Sequence, residues 1–141
     1  MVMTTRLEGQ LSVDAYPDVL LRKATALHAD GEHGIATVVA HMACEVAVER
    51  TISATLDANF DAAASEALLA MFNGYGLNDD KQRALYSALT RHEIQREPFW
   101  QSYKSSVGRR NRVVHGKHIA TQAEGAETLR AAELLLACIK R

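Results

Sequence analysis

Turn-forming residues, paired cysteines and long apolar runs are all scarce in this sequence. Two prolines and eight glycines in 141 residues are too few for the closely spaced turns of a many-stranded sandwich or barrel. Cys44 and Cys138 are the two cysteines. Each sits inside an apolar helical pattern, which reads as buried free thiols rather than a disulfide framework. The most apolar stretch, residues 35–48, is interrupted by His41 and Glu45 and is shorter than a bilayer requires. Residues 1–10 carry Arg6 and Glu8 and have no apolar core of the signal-peptide kind. The expectation is a cytoplasmic chain without a membrane span. No phosphate-binding P-loop, dinucleotide-binding glycine pattern or nucleophile elbow occurs. None of the six histidines has a glutamate three positions before it, which excludes the ligand pairs of di-iron bundles. His115 and His118 are three apart, but Gly116 between them breaks the helical geometry a metal would need. No metal site and no cofactor are expected.

What the chain does have is helix. Apolar residues make up 48% and charged residues 23%, enough apolar mass for one core in a chain of this length and too little charge for disorder. With no linker or internal repeat, residues 1–141 read as a single all-α domain. The periodicity predicts a first helix over residues 13–29, capped by Ser12 or Asp14 with Pro17 in its first turn. After a turn at residues 30–34 comes a second helix over residues 35–56. It is apolar on two sides, with Ile35, Val39, Met42 and Val46 on one and Ala40, Cys44 and Val48 on the other. Such a helix is central to a bundle or partly covered by a second subunit. His41, Glu45 and Glu49 form a polar strip between those sides at i,i+4 spacing.

Residues 61–92 read as two shorter helices, 62–72 and one capped by Asn78, separated by a turn at residues 73–76. Glu97-Pro98 opens the next helix, with Trp100, Tyr103, Val107 and Val114 in one stripe. Gly116 suits the left-handed position that ends it. Thr121-Gln122-Ala123-Glu124 is a capping-box pattern that starts the last helix, carried by Leu129, Ala132, Leu136 and Ile139.

The formal net charge of −1 hides an uneven distribution. Lys104, Arg109, Arg110, Arg112 and Lys117 give the segment 104–118 five positive charges and no negative one, leaving −6 for the remainder. A phosphate backbone would be drawn there, and a solvated basic turn is the plainer use of the same residues. Within the segment, Arg110, Asn111 and His115 combine a guanidinium fork, an amide and an imidazole. These are suitable parts for binding a phosphate and moving protons at neutral pH. The plainer use here is that Arg110 and Asn111 border the core and His115 answers the helix dipole.

An aromatic-rich helix, then Arg110-Asn111 and His115-Gly116, then a Thr-capped alanine and leucine helix resembles the second half of a HEPN domain. That family's signature is arginine, a polar residue, a short spacer and histidine. The apolar second helix with Glu45 is similar to the earlier helix of that fold. The resemblance covers about residues 13–140, and its sharp part is six residues long. It implies an up-and-down helical bundle, here with additional short helices between the second helix and the motif helix. It also implies metal-independent endoribonuclease activity on single-stranded or loop RNA, in a toxin–antitoxin or defence setting.

By resemblance, Arg110 stabilises the phosphate, His115 acts as acid or base and Asn111 positions, with Lys104, Arg109, Arg112 and Lys117 binding substrate and Glu45 supporting. On an ideal helix residues five apart diverge by about 140°, whereas Asn111 and His115 share a face. Arg110 and His115 therefore converge only if the helix ends between them or if two chains meet, which favours the homodimer the family implies. The alternative is a non-catalytic HEPN domain that binds RNA, a nucleotide or a partner protein. HEPN toxins paired with a nucleotidyltransferase antitoxin often carry a tyrosine two positions after the motif histidine; Lys117 stands there, which weakens that particular partnership. A helical interaction protein with no nucleic-acid role is the third reading.

Overall fold

Helices supply the regular structure among the residues that the computed structural model describes, 16–71 and 76–140. In chain order they are α1 (Tyr16–Ala29), α2 (His33–Asn59), α3 (Ala62–Ala70), α4 (Asp80–Thr90), a 3₁₀ turn (Ile94–Arg96), α5 (Trp100–Val114) and α6 (Gln122–Ile139). The all-α expectation holds. The expected caps at Ser12 and Asp14 and the turn residues 73–75 lie outside the described residues.

Helix α2 touches each of the other five, which is why its sequence is apolar over most of its girth. Ala36, Ala40, Ala43, Cys44, Ala47, Val48, Ile52 and Leu56 are sealed by α1, α5 and α6. The small alanines let neighbouring helices approach closely, and Ile52 and Leu56 fill the space between them. The other apolar side is only partly covered: Ile35 is 53% and Met42 43% exposed, with Val39 and Val46 half-buried between. Helices α1 and α5 each pack on both α2 and α6, giving a four-helix core. Helix α3 reaches the bundle through α2, as does α4.

Several local details follow from particular residues. Pro17 is buried in the first turn of α1, where its missing N–H costs nothing. The N-cap of α4 is Asp79 rather than the expected Asn78, its carboxylate accepting from the Gln82 N–H at 3.0 Å. Helix α5 begins at Trp100, two residues after Pro98, because the chain first closes the 3₁₀ turn at residues 94–96. Val114 departs from the expected buried stripe and is 50% exposed, since α5 outruns the core at its end. Gly116 takes φ +67°. Its N–H bonds the Val113 carbonyl at 3.0 Å and the Lys117 N–H reaches back to Arg112 at 2.8 Å, the double bond pattern of a Schellman stop. The capping box of α6 is present in both directions between Thr121 and Glu124. Gly125 is buried against the His28 ring and the His33 Cβ, and a Cβ there would stand 2.6 Å from His28 Nδ1.

Candidate functional site

Adjacent arginines on a helix point about 100° apart, so α5 presents Arg109 and Arg110 to different surroundings. Arg109 faces α6. Its guanidinium donates to the Thr128 hydroxyl at 2.8 Å and the Glu124 carbonyl at 3.1 Å, and lies 3.4 Å from the Glu124 carboxylate and 3.7 Å from Glu127. With 6% of its surface exposed, it has no face left for RNA. The expectation that Arg109 binds substrate is therefore corrected: its fork bolts α5 to the first turn of α6.

The Glu124 carboxylate is the centre of that bolt. It accepts from the Thr121 N–H at 2.9 Å and from His118 Nε2 at 2.8 Å. The Thr121 N–H first, and then His118, hold the carboxyl at a pKa of about 2. His118 is thus occupied within the fold rather than paired with His115.

Arg110 turns toward α2 and is half-buried. Its Nη1 donates to the Asn111 Oδ1 at 3.0 Å, so the amide orients the guanidinium. Its Nε is shielded from water and has no hydrogen-bond partner among the described residues. Glu45 lies near enough for the Arg110 charge to act on it. The Glu45 carboxyl is pushed below its usual pKa, chiefly by the hydrogen bond from His41 and to a lesser degree by Arg110. His41 is 6% exposed and its Nε2 is 2.7 Å from Glu45. The polar strip on α2 is in effect a buried histidine holding a carboxylate toward the motif arginine. His41 is the member that motif reasoning missed, although its i,i+4 spacing to Glu45 was a usable signal. Glu49, the third of the strip, is exposed.

His115 is the C-cap of α5, its backbone N–H on the Asn111 carbonyl at 3.1 Å. Its imidazole is exposed, at a helix end whose dipole favours a cation. Lys104, Arg112 and Lys117 are exposed as well. Within one chain the structure brings together Arg110, Asn111, Glu45 and His41. His115 sits one turn beyond Asn111, and no side-chain hydrogen bond among the described residues joins it to Arg110. Trp100 and Tyr103 of the expected stripe are core: their rings stack at 5.4 Å and Tyr103 is 1% exposed.

No described helix is long and apolar enough to cross a membrane. Comparison with protein-family models, with curated proteins and with solved structures finds no match for the chain.

Proposed function

We propose that the chain is a metal-independent endoribonuclease of the HEPN type, acting as a homodimer on single-stranded or loop RNA in a toxin–antitoxin or defence setting. The observation that carries the reading is Arg110: a half-buried guanidinium oriented by Asn111, in a cationic segment that also carries the exposed imidazole of His115. A guanidinium held in one orientation offers a phosphate charge-assisted hydrogen bonds with geometric specificity.

In the proposed reaction the His115 imidazole of one copy takes the ribose 2′-OH proton. The 2′ oxygen attacks the adjacent phosphorus as the bond to the 5′ oxygen breaks. The His115 of the second copy protonates the leaving oxygen. The products are a 2′,3′-cyclic phosphate and a 5′-hydroxyl end. Arg110 stabilises the charge gathering on the phosphoryl oxygens, where a fixed donor is worth about 100- to 1000-fold in rate. The Glu45 carboxylate, held by His41, lies within electrostatic reach of the guanidinium. Lys104, Arg112 and Lys117 supply attraction for the backbone, which weakens with salt.

Purified protein in EDTA is expected to cleave unstructured RNA to cyclic-phosphate ends. Arg110→Ala and His115→Ala each reduce the rate at least about 100-fold at unchanged helicity and oligomeric state. Wild-type rates in both variants would end this assignment. The second reading, a HEPN domain that binds RNA, a nucleotide or a partner without cutting, draws on the separation of His115 from Arg110 within one chain. It predicts salt-sensitive RNA binding with no turnover. Lys117 argues against a nucleotidyltransferase antitoxin that modifies a tyrosine at that position.

A further inference from the structure

At the opposite end of α5 from the motif, roughly 20 Å away by the helical rise, three side chains with metal-ligating atoms meet around a cavity. The chain leaves α4 through Arg91, held at φ +59°, an uncommon conformation for a residue with a side chain. The bend turns His92 inward. The 3₁₀ turn then folds the chain back so that Glu97 reaches the same imidazole: His92 Nε2 is 2.9 Å from the Glu97 carboxylate. From the last turn of α6, Cys138 brings its Sγ to 3.5 Å from that same nitrogen. One donor atom from each of the three lies within 4.8 Å of the others. The cavity they border has a volume of about 310 Å3 and is also lined by Thr51, Tyr86, Thr90 and Ile139.

We propose that His92, Glu97 and Cys138 form a binding site for a zinc-class divalent cation, with a fourth coordination position open to this cavity. The distances fit. Tetrahedral zinc with its usual bond lengths sets neighbouring nitrogen and sulfur ligands about 3.6 Å apart and nitrogen and oxygen ligands about 3.3 Å apart. The observed separations are 3.5 and 2.9 Å, so the carboxylate moves a few tenths of an ångström outward to admit the ion. The second ring nitrogen is already engaged: His92 Nδ1 is 2.8 Å from the Tyr86 hydroxyl. With Nδ1–H donating to that oxygen, Nε2 presents its lone pair to the metal, the arrangement that orients histidine ligands generally.

The donor set also fits in charge and softness. A thiolate, a carboxylate and a neutral imidazole balance a divalent ion, and mixed nitrogen, sulfur and oxygen ligation suits zinc. Binding breaks the S–H bond of Cys138, forms a metal–sulfur bond and releases the thiol proton to solvent, while the ring proton that Nε2 shares with the Glu97 carboxylate is replaced by one on Nδ1, so that the imidazole stays neutral. No redox step is involved. The ion would tie the loop after α4 to the end of α6. The site stands apart from the proposed nuclease chemistry, which uses none of these residues.

The test is a cobalt(II) titration of the full-length reduced protein, followed by zinc displacement. One cobalt per chain is expected, with a thiolate-to-cobalt charge-transfer band and the intense visible bands of tetrahedral coordination, both abolished by zinc. Cys138→Ser removes the charge-transfer band, whereas Cys44→Ala keeps it. Tyr86→Phe retains the band at about tenfold weaker affinity, and His92→Gln lowers affinity further. Because Cys138→Ser could unfold the end of α6, Glu97→Gln gives an independent check: it keeps the thiolate band and lowers affinity. A wild-type titration without the thiolate band, or a band that persists in folded Cys138→Ser, overturns the proposal. RNA cleavage that survives EDTA while cobalt binding is lost in Cys138→Ser separates the fate of this site from that of the nuclease.

Discussion

Arg109 and Arg110 are neighbours in sequence with opposite roles in the molecule, and this divides their expected phenotypes. Truncating Arg109 takes its guanidinium from the buried Thr128 hydroxyl and from the half-buried Glu124 carbonyl, and an unmet hydrogen bond costs most where water is excluded. Arg109→Ala is expected to lower unfolding free energy by about 2 kcal/mol, read as a fall in the urea midpoint. Arg110→Ala removes a half-buried side chain bonded only to its neighbour Asn111 among the described residues. It should change the midpoint little and abolish RNA cleavage. Equal midpoints for the two variants would contradict the division.

The sequence alone offered no way to tell these arginines apart. What separates them is which neighbour each faces, and the partners of Arg109 lie 15 and 19 residues further along the chain. The same limit applies to His92 and Cys138, 46 residues apart, which no short spacing rule joins. Gly116, the Thr121–Glu124 box and the Arg110-Asn111 pair were visible because each is a local pattern of a few residues.

At the scale of single helices, α6 has the sharpest pH dependence to offer. The Glu124 carboxyl falls from an ordinary value of 4.5 to about 2 in the fold. A depressed folded value means that its stabilisation is whole above about pH 5 and drains away as pH drops through 4.5 toward 2. Glu45 shifts in the same direction and adds to the loss. Urea midpoints measured between pH 7 and pH 2 should therefore fall across that window. In Glu124→Gln the midpoint starts lower at pH 7 and falls less steeply, with the Glu45 contribution remaining. A slope identical to wild type would show that the carboxylate contributes nothing.

The helix boundaries repeat the lesson about local information. Those set by a cap residue and a glycine stop could be read ahead to within a residue or so. The start of α5 was misjudged because the 3₁₀ turn depends on Ile94 being sealed in the core, a tertiary fact that pulls the chain away from the helix Pro98 would otherwise open.

At the scale of the whole molecule, the partly covered side of α2 is an apolar surface on the helix that carries Glu45. Ile35, Val39, Met42 and Val46 repeat at spacings of 4, 3 and 4, the rhythm by which one helix packs along another. The sequence pointed to this face but left open whether it was bundle or subunit contact. The exposure of Ile35 and Met42 leaves it available for a second copy. Light scattering at micromolar concentration should give a dimer, and Met42→Glu should give a monomer that keeps its helicity and loses RNA cleavage. A wild-type monomer that cleaves RNA would remove the two-copy site.

Helix α2 also sets the order in which the chain can bury itself as it is made. Two of its neighbours in the core, α5 and α6, end at residues 114 and 139, well after α2 has been synthesised. At cellular elongation rates of about 5–20 residues per second, the 80 residues between Asn59 and Ile139 take about 4–16 s. Until α5 is complete at residue 114, an alanine- and valine-rich helix stands with only α1 and the small α3 and α4 to shelter it. A ribosome halted before residue 100 would therefore display a sticky, half-dressed hairpin, and holding factors would have their best opportunity there.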